Sequence, residues 1–216
     1  MSFENILFDL DGTIINSEVG VTGCVVYALK KFGIEESDRT LLRKFLGPPL
    51  SDSFMRFYGF DAEKAELAVA YYRERYVPIG VHENEIYDGI PEMLSALRNV
   101  GKRLYIATSK PEHFAKGILA ELGLDKYFDG VFGSTLDESR NTKDKVLAYA
   151  IKEIGLDKSR SVMVGDRFHD VEGAKKNGLP CIGVLYGFGD EKELMGAGAV
   201  AVAGTPEELK KLIVGG

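Results

Sequence analysis

Cysteine, histidine and excess positive charge are all scarce in this chain, and each shortage removes a class of protein. Only two cysteines, Cys24 and Cys181, occur in 216 residues, in different kinds of segment, so neither a disulfide framework nor a CxxC metal site is available. Two buried thiols are expected. Three histidines are present, and His169 has no ligand-like spacing to His82 or His113, which argues against a zinc centre. No apolar run approaches the ~18 residues a bilayer-spanning helix needs. The N-terminus has no basic stretch leading into an apolar region and a small-residue cleavage site, so a cytoplasmic protein without a membrane partner is expected. Against 33 Asp and Glu there are 27 Lys and Arg, a net charge of -6, which would not hold a nucleic-acid polymer electrostatically. A small phosphorylated metabolite stays open as a partner, because nearby lysines, backbone N–H groups and a metal ion bind phosphate whatever the net charge.

What is present is ordinary for a globular chain: 45% hydrophobic and 28% charged residues, enough for one sizeable core or a core carrying a smaller insertion. Phe3 to Leu10 reads as a strand ending in Asp-Gly. From Ser17 to about Gly80 the apolar spacing is helical, as in Val21, Val25, Ala28, Leu29 and Phe32. Breaks at Gly33, Gly47-Pro48-Pro49, Gly59 and Val77-Pro78 divide this block into about four helices. Strand and helix patterns then alternate from Pro91 to Ile213, which implies right-handed βαβ crossovers and a parallel sheet. The first strand needs that sheet to bury it. The expected fold is therefore α/β, a Rossmann-like parallel-sheet core of residues 1–16 and 84–216, with a small α-helical cap domain, 17–83, inserted.

Ligands of open parallel sheets bind beyond the carboxyl ends of the strands, and the chemically useful residues fall at those ends. Asp9-Leu10-Asp11-Gly12-Thr13 sets two carboxylates on one side of an extended segment. One carboxylate can attack phosphorus while the other serves as acid and base. Gly12 permits a tight turn whose N–H groups could face a phosphate, although Asp and Gly also simply favour turns. Thr108 and Ser109 follow the strand Arg103 to Ala107, where a hydroxyl and helix-entry N–H groups could receive a phosphate oxygen or only cap a helix. Lys143 is a candidate cation for phosphoryl oxygens, with Lys110 and Lys145 as rivals. Val164-Gly165-Asp166 ends another apolar strand with an acid that suits the hard-oxygen preference of Mg2+, or caps the next helix. Asp170, one helical turn on, suits orientation of a neighbour more than direct ligation.

The ordered set Asp9-x-Asp11-Gly12-Thr13, Thr108, Lys143 and Gly165-Asp166-x-x-x-Asp170 resembles the four motifs of the haloacid dehalogenase-like superfamily. The resemblance spans the chain. It implies a magnesium-dependent phosphohydrolase in which Asp9 is nucleophile and metal ligand, and Asp11 is acid/base with its carbonyl on the metal. It implies further that Gly12, Thr108, Ser109 and Lys143 bind the phosphoryl group, Asp166 ligates Mg2+ and Asp170 supports it. Within that family Gly47-Pro48-Pro49-Leu50, Thr108-Ser109-Lys110-Pro111 and Gly165-Asp166-Arg167-Phe168-His169-Asp170 resemble phosphoglycolate phosphatases and 5′-nucleotidases, the last segment leaning toward nucleotidases. Lys143-Asp144 departs from a common Lys-Pro pattern, and Asn16 replaces a frequent Asp.

Three other readings compete with this one. A β-phosphoglucomutase-like phosphomutase resembles the fold, but such relatives carry Val and a cap His where this chain has Thr13 and Val21. Dehalogenase chemistry does not need the second acid, Asp11. A non-enzymatic phosphate-binding module would need no paired nucleophile and acid. Substrate selection is expected from inserted-block side chains such as Arg43, Lys44, Arg56 or Tyr72, and oligomeric state is not readable from the sequence.

Overall fold

The computed structural model describes residues 3–136 and 139–215. In chain order the elements are β1 (Asn5–Phe8), β2 (Ile15–Asn16), α1 (Glu18–Lys31), α2 (Arg39–Arg43), α3 (Leu50–Tyr58), α4 (Ala62–Tyr76) and β3 (Glu85–Ile86). Then come α5 (Ile90–Asn99), β4 (Arg103–Pro111), α6 (Glu112–Glu121), β5 (Gly130–Ser134), α7 (Lys143–Ile154), β6 (Ser161–Gly165) and α8 (Phe168–Lys176). The last are β7 (Cys181–Val184), α9 (Glu191–Ala197), β8 (Ala201–Ala203) and α10 (Pro206–Val214). The chain divides into two compact units, Met1–Ile15 with Ile86–Gly216, and Asn16–Glu85. Among the described residues no helix is long and apolar enough to cross a membrane.

The first unit is an α/β sandwich on a six-stranded sheet ordered β5-β4-β1-β6-β7-β8, every pairing parallel. The chain steps outward from β1 to β4 and β5, then returns to β1's other edge with β6. The order therefore reverses at β1, and crevices form at the carboxyl ends beside such a reversal. Alternation along the strands sends Leu7, Tyr105, Ala107, Met163 and Cys181 to one face, where they pack with Val146, Leu147 and Ala150 of α7 and Val171 and Ala174 of α8. Ile6, Phe8, Ile106, Val162 and Val164 have the opposite parity and are fully buried too. Both faces are covered, as a parallel sheet requires.

Helix ends follow local chemistry. Asp190 accepts the Glu193 N–H to start α9, and Thr205 accepts the Glu208 N–H to start α10, with Pro206 at a position that needs no donor. α7 stops where Gly155 turns left-handed at φ 67°. Strand β4 runs past the Ala107 end that the sequence suggests and reaches Pro111 through a register shift. Thr108 and Ser109 thus lie in a distorted strand end, not at the entry to α6.

The second unit is helical. Asp38 caps α2 through the Thr40 and Leu41 N–H groups, and Asp61 caps α4 through Lys64 N–H. Its core is aromatic: Phe54 lies 5.0 Å from Phe45 and 6.0 Å from Phe60, and Tyr72 stacks on Tyr76 at 5.3 Å, between ring centroids. Tyr72 is buried and belongs to that core. Glu18, the first residue of α1, is gripped bidentately by Arg43 at 2.8 Å and by Arg39 at 3.0 Å, and these hydrogen bonds hold its carboxyl below the usual range although burial opposes them.

Leu147, fully buried between α7 and the sheet, leaves a cavity when cut to Ala, so urea unfolding of Leu147→Ala is expected to show a loss of about 2–5 kcal/mol. Val200→Ala, at a residue 60% exposed, is expected to stay within about 0.5 kcal/mol of the parent.

Candidate active site

β1 delivers Asp9 to the carboxyl edge of the sheet, where its N–H bonds the Val164 carbonyl of β6 at 2.8 Å. The chain then turns sharply. Thr13, Ile14 and Ile15 all direct their N–H groups at the Leu10 carbonyl, and the Gly12 N–H goes to the Ile15 carbonyl at 2.8 Å. The Gly12 N–H is thus engaged inside the turn. Its glycine identity has another cause. At φ 80° a side chain would be strained, and a Cβ there would lie 2.1 Å from Asp166 Oδ2.

Asp9, Asp166 and Asp170 are buried, and a carboxylate oxygen from each lies within 4.8 Å of the others. Lys143, at the start of α7, reaches into this group. Its Nζ is 2.7 Å from Asp9 Oδ1, 2.8 Å from Asp170 Oδ1 and 2.9 Å from the Ala107 carbonyl. Gly173 of α8 makes room for it, because a Cβ there would stand 2.8 Å from the lysine's Cγ. Gly165 does the same for Asp170, at 2.2 Å from its Cγ. The glycines of this motif set the clearance between strand and helix.

Burial pushes the Asp9 carboxyl up to about 7, against the pull of the Lys143 ammonium, with Asp170 and Asp11 adding repulsion. Burial also pushes Asp166 well above the ordinary carboxylate range, aided by repulsion from Asp170 and Asp9. Lys143 is moved the other way. Burial alone would lower its pKa, but the charges of Asp170 and Asp9 outweigh that and raise it.

Each oxygen can be followed. Asp9 Oδ1 takes the Leu10 N–H at 2.8 Å as well as Lys143. Asp170 Oδ2 takes the Arg167 N–H at 3.1 Å while Oδ1 meets Lys143. Asp166 Oδ2 takes the Phe188 N–H at 2.8 Å, whereas Oδ1 is buried with no hydrogen-bond donor among the described residues. A buried carboxylate oxygen without a donor is costly. Three carboxylates face one ammonium here, and the excess negative charge together with the bare Asp166 oxygen fits a hard divalent cation.

Asp11 leaves the acidic group. Its Oδ1 pairs with Lys110 Nζ at 2.7 Å, and the lysine side chain is almost fully covered. Thr108 is buried and its Oγ1 accepts the Lys110 N–H at 3.1 Å, so its hydroxyl proton remains available to donate. Ser109 is half-buried beside it. Of the lysines considered from sequence, Lys143 joins the carboxylates and Lys110 binds Asp11 instead. The Lys110–Asp11 pair and the loop at Phe188 carried no signal strong enough to find in advance.

Residues 6–184 match the family model of haloacid dehalogenase-like hydrolases, and the chain belongs to that family. A protein of Pseudomonas aeruginosa named 5′-nucleotidase is 46% identical over 90% of this chain and 88% of its own length. A protein of Mycobacterium tuberculosis named tyrosine-protein kinase PtkA is 36% identical over 96% of this chain and 72% of its own. The crystal structure of a predicted phosphatase from Clostridium acetobutylicum superposes with a TM-score of 0.95 at 46% identity, covering 99% of both chains. The chain is accordingly a phosphatase, a phosphoric monoester hydrolase of the haloacid dehalogenase-like family.

An acid whose folded pKa is raised contributes stability that is complete below its unfolded value and lost as pH rises through the folded one. For Asp9 that window runs from the ordinary 3.8 to about 7. Metal-free protein in EDTA is expected to lose stability toward urea between about pH 4 and 7, and Asp166→Asn, with one fewer carboxyl to ionise, to lose less. Equal pH slopes for the two proteins would contradict this assignment of the strain.

Proposed function

We propose that the protein is a Mg2+-dependent phosphatase that hydrolyses a small phosphomonoester, of the nucleoside 5′-monophosphate class, through an aspartyl phosphate on Asp9. The observation that carries this reading is the meeting of Asp9, Asp166 and Asp170 around Lys143, with one buried oxygen of Asp166 left for a cation. In this reading Asp9, the Asp11 main-chain carbonyl and Asp166 hold Mg2+, and Asp170 positions Lys143. When bound, the ion neutralises charge on the acids and on the transferring phosphoryl group.

The remaining chemistry falls to the chain's own groups. Asp9 Oδ2, the oxygen engaged by neither Leu10 N–H nor Lys143, forms a bond to phosphorus as the ester P–O bond breaks. Asp11 gives its proton to the leaving oxygen and then removes one from water, which attacks the acyl phosphate, releases inorganic phosphate and restores Asp9. Lys143 and the Thr108 hydroxyl steady the phosphoryl oxygens, with Ser109 alongside. Gly12 serves by shape. The inserted segment 17–83 is read as a helical cap domain of the family's kind. Two facts favour nucleotides: the Gly-Asp-Arg-x-His-Asp form of the Asp166 segment and the name of the 46% identical relative.

Asp9→Asn, nearly isosteric but a poor nucleophile, is expected to cut kcat by at least about a thousandfold while leaving the far-ultraviolet circular dichroism unchanged. Retained turnover would refute the nucleophile. Phosphate release from AMP, 2-phosphoglycolate and glucose 6-phosphate, each with Mg2+ and with EDTA, is expected to favour AMP in kcat/KM and to vanish in EDTA. A preference for 2-phosphoglycolate would redirect the substrate assignment without touching the mechanism.

A further inference from the structure

Residues Tyr186, Gly187, Phe188 and Gly189, which follow β7 by one residue and lie outside the four motifs, nevertheless close on Asp166. The Phe188 N–H donates to Asp166 Oδ2 at 2.8 Å. A Cβ on Gly187 would stand 2.5 Å from the Asp166 Cβ, 2.7 Å from its Oδ2 and 2.2 Å from the Gly12 carbonyl. A Cβ on Gly189 would stand 2.1 Å from the Asp166 carbonyl. Neither glycine has a positive φ. Their identity answers a need for space, not for backbone freedom, and the space needed is that occupied by Asp166 and the Asp9–Thr13 turn.

These contacts constrain one torsion. Gly12 and Gly187 both lie against the Asp166 carboxylate, leaving no room for a side chain at either, and the Phe188 N–H donates to Oδ2. Oδ1 is thereby aimed away from every donor among the described residues. The loop is itself anchored: the Tyr186 ring packs edge-on against Tyr87 at 5.3 Å between centroids.

We propose that the Gly187-Phe188-Gly189 loop is the positioning element for Asp166, fixing its carboxylate through the Phe188 N–H and two side-chain-free contacts so that Oδ1 alone faces the cation. The inference rests on the reading of Asp166 as a metal ligand and extends it to residues outside the motif set. It makes residue 188 a positioning residue through its main chain and leaves its aromatic side chain without a part in metal binding.

The test is Mn2+ titrated into the full-length, metal-free protein, with free Mn2+ read by electron paramagnetic resonance. Gly187→Ala is expected to raise the Mn2+ Kd by at least about tenfold, the range seen when partners of metal ligands are removed. Phe188→Ala keeps the N–H and is expected to bind close to wild type, as is Gly196→Ala, whose added Cβ meets nothing within 4 Å. Should Gly187→Ala fail to fold, replacement of the residue 188 amide by an ester removes the N–H without adding bulk and is expected to weaken Mn2+ in the same way. Wild-type affinity in folded Gly187→Ala or in the ester protein would overturn the positioning role. Failure of wild type itself to bind Mn2+ would instead overturn the metal site on which the inference stands.

Discussion

A single ammonium, that of Lys143, is set among carboxylates at the centre of the sheet's carboxyl edge, and the local architecture is arranged around the need to keep it there. It donates to the Ala107 carbonyl and forms ion pairs with Asp9 and Asp170. Removing charged groups from water costs several kcal/mol each unless partners are in place. The surrounding backbone supplies the fit: Gly173 clears the lysine stem, Gly165 clears Asp170, and the Arg167 N–H fixes the other Asp170 oxygen. Asp9 and Asp166 remain strained by burial even so, and that strain is what a divalent cation would relieve.

Topology explains why residues more than a hundred positions apart share this place. The reversal of strand order at β1 puts β4 and β6 on its two edges in register, with Phe8 opposite Ile106 and Val164. Asp9, one residue past its pair, and Thr108 and Asp166, two past theirs, then emerge at the carboxyl edge of the sheet. The helices after the strands bring in Lys143 and Asp170. A parallel sheet of this order thus gathers three acids, a hydroxyl and an ammonium at one edge.

Much of this was legible in the sequence because it depends on periodicity and on short strand ends. Lys143–Ile154 and Cys181–Val184 have the bounds that apolar spacing suggests, and the Gly33, Gly47-Pro48-Pro49 and Gly59 breaks fall between helices α1 to α4. The acids Asp9, Asp166 and Asp170 stand together as their places after β1 and β6 imply. What escaped was anything set by close approach. Gly12 reads as a turn residue, and only the fold shows that Asp166 fills the space where its side chain would go. The partner of Asp11 was equally hidden, because Lys110 meets it across 99 residues through a bulged strand end that apolar patterning places four residues short.

The central claim is that Asp9 and Asp166 hold one divalent ion between them. Crystals grown with Mn2+ and measured for anomalous scattering at the manganese edge test it most directly. The account predicts one strong peak in contact with a carboxylate oxygen of Asp9 and with Asp166 Oδ1, with Lys143 still paired to Asp170. A peak bound elsewhere, or Asp9 and Asp166 bare at saturating Mn2+, would contradict it.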